Sequence, residues 1–242
     1  MKQKLTTQQA FVAKIRDGAS IMVGGFMNIG TPTTIIDAIL ESDLKELTII
    51  CNDAGLPGVG VGKLIDAGKV KKLIASHIGL NPIAGKKMQA GEMEVELVPQ
   101  GTLAERIRAA GAGLGGFLTP TGRGTIVQEG KQVIHSNGED YILEKPLKAD
   151  VAILLGHIVD KKGNTIYSKT TRNFNPLMAT AAELVGIEAR TVVEIGELNP
   201  DMIHTPHIFI DYIMGGKASW WIQKKSLLDV WLKNLKMGMS ST

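Results

Sequence analysis

The chain is poor in cysteine, in aromatic side chains and in net charge, and each shortage closes off a class of protein. Cys51 is the single cysteine in 242 residues. An internal disulfide framework is therefore impossible, and a reducing cytoplasm is the expected setting. Aromatics make up 5% of the chain against 28 glycines, so the core must be aliphatic and the turns tight. The formal net charge of +3 favours an anionic ligand weakly and gives no case for nucleic acid. No stretch reaches the roughly 18 apolar residues of a membrane span. Lys2 and Lys4 are followed by Thr and Gln rather than by a signal-peptide core. Repeats and low-complexity linkers are also missing. What remains, 44% hydrophobic and 21% charged, is ordinary for a soluble globular protein.

Hydrophobic runs place buried strands at 20–23, 47–51, 72–76, 94–98, 125–127 and 151–155. Helical spacing places helices at 33–41, 61–67 and 102–110. A first helix begins at Thr6, with Gln9 at capping-box spacing and an apolar Phe11/Ile15 pair. Another is expected from Asn175-Pro176 through Ala-rich sequence to Leu184. Strand, helix, strand without a tight turn means right-handed parallel units. Asn137-Gly138 between 132–136 and 141–143 is a hairpin signal, and a second hairpin is expected at 161–164. The predicted architecture is one α/β domain: a mostly parallel sheet with flanking helices and an antiparallel excursion around 125–170.

The most informative stretch is residues 17–32. A strand ends in Gly24-Gly25, and Thr31-Pro32 reads as N-cap and first position of the next helix. Glycines let the backbone approach a ligand closely, and a helix start offers free N–H groups to an anion or a polarised carbonyl. Other signals carry less. The sequence from Gly111 to Gly116 fits G-x-G-x-x-G, but it follows a helix and precedes Phe117-Leu118-Thr119-Pro120, the wrong context for a dinucleotide site. Gly62-Lys63 is followed by Leu64, so there is no P-loop. His204 and His207 flank Pro206; with one cysteine and no H-E-x-x-H, no metal site is expected. No G-x-S-x-G elbow is present. Asn52, Asn81, Gln100 and Asn173 follow strands or enter loops, where an amide can serve as a turn, as a cap or as a donor to a bound oxygen.

The string Asp17-Gly18, two residues, three apolar residues, Gly24-Gly25-Phe26, three residues, Gly30, one residue, Pro32 resembles the N-terminal signature of family I coenzyme A transferase alpha subunits. The likeness runs over roughly residues 1–213, through Cys51-Asn52-Asp53, the stretch 91–103, the stretch 111–125, Arg172-Asn173-Phe174-Asn175 and Thr205-Pro206. It is closer to the acetate, butyrate and acetoacetate enzymes than to the succinyl type. The resemblance implies the CoA-transferase fold, which is ribose-phosphate-isomerase-like. It also implies CoA transfer between a short-chain acyl-CoA and a carboxylic acid by a ping-pong glutamyl-CoA mechanism, with CoA as substrate and no permanently bound cofactor. In the family the nucleophilic Glu sits in a Ser-Glu-Asn-Gly motif on the beta subunit. Here Ser136-Asn137-Gly138 lacks the Glu, so no catalytic nucleophile is expected on this chain. By the same resemblance, Gly24, Gly25, Phe26, Met27, Asn28, Ile29 and Gly30 should meet or shape the CoA site, with Gln100 and Asn52 in support. A hetero-oligomer of two alpha and two beta subunits is implied. The sheet type also resembles sugar-phosphate isomerases and deaminases, which makes a stand-alone sugar-phosphate protein the alternative.

The resemblance ends near Met214, which sets the expected domain at 1–214. Residues 215–242 hold all three tryptophans, Trp220, Trp221 and Trp231. Leu227, Leu228, Trp231, Leu232 and Leu235 have helical spacing. A one-base frame shift from Ser219, however, permits a reading that resembles a beta-subunit N-terminus. On that reading the tail is an out-of-frame translation and should pack weakly or not at all.

Overall fold

The computed structural model describes residues 4–215; the expectations for the tail beyond Gly215 lie outside the described residues. The elements in chain order are α1 (Gln8–Val12), β1 (Ser20–Val23), α2 (Thr33–Glu41), β2 (Leu47–Ile50), α3 (Val61–Asp66), β3 (Val70–Ala75), α4 (Pro82–Gln89), β4 (Glu94–Leu97), α5 (Gln100–Gly111), β5 (Phe117–Thr119), β6 (Val133–Ser136), β7 (Glu139–Glu144), β8 (Ala149–Asp160), β9 (Thr165–Ile166), α6 (Asn175–Met178), β10 (Ala182–Val193) and β11 (Tyr212–Gly215).

The main sheet runs β11-β10-β8-β1-β2-β3-β4. Every pair along it is parallel; β9 alone returns antiparallel on β8. Strands buried on both faces read as continuous apolar runs. Their side chains alternate between two cores: Ile21, Ile49, Leu73, Val151 and Ile153 meet Phe11, Ile35, Ile39 and Leu64 on one face. Met22, Ile50, Ile74, Ala152, Leu154 and Ile187 meet Leu103, Ile107, Phe174 and Met178 on the other. Thus α1 to α3 cover one face and α5 and α6 the other. The connections leaving β1 and β8, which are neighbours, go to opposite faces. In open α/β sheets such a switch point opens a crevice beyond the carboxyl ends of the strands, where ligands bind.

The antiparallel excursion is a separate three-stranded sheet, β5-β7-β6. Its hairpin turns at Asn137 (φ 53°) and Gly138 (φ 82°), as a type I′ turn requires. The 161–164 hairpin forms as well: Gly163 N–H donates to Asp160 O at 2.9 Å.

Several local expectations are corrected. Residues 125–127 do not form a strand; Ile126–Gln128 is a 3₁₀ turn capped by Thr125. The helix at Asn175 stops at Met178, and Ala182 onward is β10, whose ladder on β8 outweighs the helix preference of the alanines. The first helix is capped by Thr7, while Thr6 N–H bonds Ile213 O at 3.0 Å. Pro32, not Thr31, is the N-cap of α2, with no side-chain cap of its own.

Candidate functional site

At the switch point, residues 24–30 leave β1 and fold back on themselves. Phe26 N–H donates to Ile29 O at 3.0 Å and Ile29 N–H to Phe26 O at 2.9 Å. Between them Met27 (φ 49°) and Asn28 (φ 63°) are both left-handed, a conformation that non-glycine residues hold only when their surroundings enforce it. The enforcement is visible. Asp53, buried, accepts from Met27 N–H at 2.8 Å, from Asn52 Nδ2 at 2.8 Å and from Gly55 N–H at 2.9 Å. Gly25 (φ +124°) lies so close to Thr31 that a Cβ would fall 2.2 Å from its Oγ1. Residue 25 therefore has no room for a side chain, and Thr31 is buried against the loop.

The other side of the loop is held by Asn175, which is fully buried. Its Nδ2 donates to Gly30 O at 3.0 Å and Thr171 O at 2.9 Å, and its Oδ1 accepts from Leu155 N–H at 3.0 Å. One amide thus ties β8, the loop and the turn before α6 together. Asn173 Nδ2 adds a bond to Ile29 O at 2.8 Å.

The predicted residues Asn52 and Gln100 are brought to the same edge. Gln100, first residue of α5 and exposed, donates its Nε2 to Asn52 Oδ1 at 2.6 Å. Ser76 Oγ donates to Asn52 O at 2.7 Å. A continuous run of hydrogen bonds therefore connects Gln100 through Asn52 and Asp53 to the Met27 amide. Asn81 is instead structural: its Oδ1 caps α4 at Ile83 and Ala84.

Potential nucleophiles nearby are committed or silenced. Burial pushes the Cys51 thiol far up, assisted by Asp53, and its Sγ bonds Asp53 O. Glu188 on β10, which sequence reasoning missed, is buried beside a cleft of about 890 Å³ lined by Asn28, Thr31, Asp37, Lys63 and Arg190. It accepts from Thr34 N–H at 2.8 Å and so caps α2 from across the fold. Burial raises its pKa against the opposing pull of Thr34, Ile35 and Arg190. No local signal could have found it, because its partner lies 154 residues away. Among the described residues, no group of three or more His, Cys, Asp or Glu could hold a metal, and no helix is long and apolar enough to cross a membrane.

A family model described as Coenzyme A transferase matches residues 5–216. The chain is 53% identical over 219 residues to the acetate CoA-transferase subunit alpha of Escherichia coli (strain K12), covering 90% of this chain and 100% of that one. It is 52% identical over 214 residues to the acetoacetyl-CoA:acetate/butyrate CoA transferase alpha subunit of Clostridium acetobutylicum, covering 88% and 98%. It superposes with a TM-score of 0.82 and 21% identity on an acyl-CoA transferase of E. coli O157:H7 in a thioester complex with CoA. That match covers 90% of this chain and 49% of the other, so this chain spans about half its length and the likeness speaks to the fold.

Proposed function

The chain belongs to the coenzyme A transferase family as an alpha subunit, and on that premise we propose that it supplies the loop half of an active site whose nucleophile comes from beta. The supporting observation is the hydrogen-bonded run from Gln100 to the Met27 amide at the switch point, where Asp53, Glu188 and the Cys51 thiol are each already engaged.

In this reading the beta carboxylate attacks the acyl-CoA carbonyl; the C–S bond breaks and CoA thiolate leaves. The thiolate attacks the glutamyl carbonyl of the anhydride, expelling the product carboxylate and leaving a glutamyl thioester. The acceptor acid repeats the two steps in reverse order of partners. Each step develops charge on a carbonyl oxygen, which fixed donors stabilise best. Residues 24–30 line the CoA side, and the exposed Gln100 amide, its base held by Asn52, orients the acyl oxygen.

The partner seat is the carboxyl edge of the sheet. Phe26, Met27, Ile29, Leu56, Val59 and Leu80, on the loops after β1, β2 and β3, are each 40–50% exposed, and clustered exposed apolar residues mark an interface. We assign two alpha and two beta subunits, short-chain acyl groups, CoA as a substrate rather than a resident cofactor, and a cytoplasmic location. The functional domain is residues 1–214.

The test is acetoacetate- and acetate-dependent CoA transfer by this chain alone and with a beta subunit. Activity only in the mixture, abolished by changing the beta glutamate, is expected. Activity of the chain alone overturns the reading.

A further inference from the structure

The loop after β1 has a twin on the neighbouring strand. Gly25-Phe26-Met27-Asn28-Ile29-Gly30 follows β1, and Gly55-Leu56-Pro57-Gly58-Val59-Gly60 follows β2, its partner in the sheet. Both read Gly-apolar-x-x-apolar-Gly. Both fold back through an antiparallel bridge, Phe26 to Ile29 and Leu56 to Val59. The four flanking glycines all have positive φ, at 124° and 85° in the first loop and 66° and 55° in the second. An aspartate holds a tip amide in each: Asp53 accepts from Met27 N–H at 2.8 Å, and Asp66 from Gly58 N–H at 2.7 Å.

The twins touch at Asn28. A Cβ on Gly60 would fall 2.3 Å from Asn28 Oδ1, and one on Gly55 would fall 3.6 Å from the same atom. The oxygen therefore occupies the place of the side chain that Gly60 lacks. Asp53 ties the loops at a second point, because it also accepts from Gly55 N–H at 2.9 Å. The gap left between them is about 10 Å³, room for no more than one water. A substrate group cannot enter there. Asn28 also lines the cleft of about 890 Å³ beside α2, which has the volume of a small-molecule site. Among the described residues, His157 Nδ1 is the one buried side-chain nitrogen or oxygen without a hydrogen bond. The Asn28 amide nitrogen, which has no partner among those residues either, is thus open to solvent.

We propose that loop 55–60 positions the substrate loop: the Gly60 backbone fixes Asn28 Oδ1, and Asn28 Nδ2 donates to an oxygen of the acyl-CoA in the cleft. Gly60 is the positioning residue and Asn28 the binding one. A side-chain amide carries two donors on its nitrogen, and the acceptor is a carbonyl of the acyl-pantetheine arm or a phosphate of CoA. The inference rests on the functional reading above, but its first test does not require turnover.

That test is nuclear magnetic resonance of the full chain labelled with ¹⁵N-asparagine. The Asn28 side-chain signal, identified by its loss in Asn28→Gly, should shift in Gly60→Ala. It should stay in place in Gly58→Ala, where φ is also positive at 70° but an added Cβ meets nothing within 4 Å. A signal unmoved in Gly60→Ala, or moved equally in both variants, overturns the contact whether or not the protein transfers CoA.

Kinetics of the alpha–beta complex test the donor. Asn28→Gly keeps the left-handed backbone without strain and removes the amide, so kcat/KM for acetoacetyl-CoA should fall about tenfold. Asn28→Asp keeps the shape and the oxygen but not the donor, so its fall should be at least as large. A smaller fall in Asn28→Asp than in Asn28→Gly, or none in either, overturns the donor role, since a mere spacer survives that change. Gly60→Ala should also lower kcat/KM, and by less in the Asn28→Gly background, where no amide is left to displace. The strain of alanine at φ 55° is common to both backgrounds and cancels in the cycle. Additive losses overturn positioning by Gly60. With acetoacetyl-pantetheine as substrate, the Asn28→Gly loss persists for a carbonyl acceptor and vanishes for a phosphate.

Discussion

Gly24→Ala tests whether the loop is held by a side chain rather than by its own backbone preferences. Gly24 is not among the residues with positive φ, so an alanine there meets no backbone strain. The obstacle is Asn175: a Cβ on residue 24 would lie 2.0 Å from its Oδ1 and 2.7 Å from its Cγ. Asn175 must move, and its bonds to Leu155 N–H, Gly30 O and Thr171 O go with it. A buried polar group left unpaired costs about 1–3 kcal/mol. With one donor and two acceptors affected, Gly24→Ala should destabilise the chain by about 3 kcal/mol or more.

Urea unfolding followed by far-UV circular dichroism measures this cost, and a double-mutant cycle with Asn175→Ala identifies its origin. Asn175→Ala alone should cost a similar amount, since it removes the same three bonds. In that background the new Cβ has room, so the added cost of Gly24→Ala should fall by about 2 kcal/mol or more. Additive effects, or a Gly24→Ala cost below about 1 kcal/mol, would refute the clamp. CoA transfer by the reconstituted complex should drop in both single variants, because Gly30 loses its anchor in each.

Gln100→Ala removes an exposed amide, so stability should change by less than about 0.5 kcal/mol while kcat of the complex falls at least about tenfold; an unchanged kcat would remove Gln100 from the site. Gly186→Ala should be strongly destabilising, by about 1–3 kcal/mol, because the added Cβ would lie 2.4 Å from the buried Phe11 ring; loss of α1 protection in hydrogen exchange would accompany it. Asp150 gives a pH dependence. The Ser20 backbone N–H, then the Ser20 hydroxyl and Arg16, hold its carboxyl below the ordinary range. A depressed native pKa contributes stability that is present above the unfolded value of about 3.9 and lost as pH falls through the native one. Asp150→Asn should therefore flatten the acid limb of the stability curve below about pH 4 and leave its neutral-pH slope alone. A chain truncated after Gly215, which keeps all of β11, should unfold within about 0.5 kcal/mol of the full chain, as expected if the tail adds no packing.

What was legible in the sequence was what local physics decides. Strand β1 was readable because a short apolar run is bracketed by turn residues, and α2 because its apolar residues recur on one face. The Asn137-Gly138 hairpin was readable because few residues accept two successive positive φ values. The failures share a different cause. Residues 125–127 have strand-forming side chains, but Gly122 and Gly124, both at positive φ, bend the chain into a turn that Thr125 then caps. The alanines before β10 favour a helix, yet β10 pairs with β8 from Ala182 to Val193, and no local preference reports a ladder whose other strand begins more than thirty residues earlier.

The same division runs through the candidate site. Its backbone features, the glycines of residues 24–30, could be read directly. Its polar supports could not: Asn175 holds Gly30 from 145 residues away, and Glu188 holds Thr34 from 154. Asn175 was expected only to open a helix, which it does, while its side chain performs the less visible task. Such residues are buried and distant in sequence from what they hold, so single substitutions would register them as stability positions. Asp53 shows why that reading is incomplete. Its carboxylate holds both Met27, in a left-handed turn, and Asn52, the base for Gln100. Loss of that carboxylate releases both parts of the proposed site at once, whereas a purely structural aspartate would leave the loop and the amide independent. The distinction is carried by coupling: Asp53→Asn and Gln100→Ala should be non-additive in kcat while remaining additive in stability, since Gln100 is exposed and contributes little to the fold.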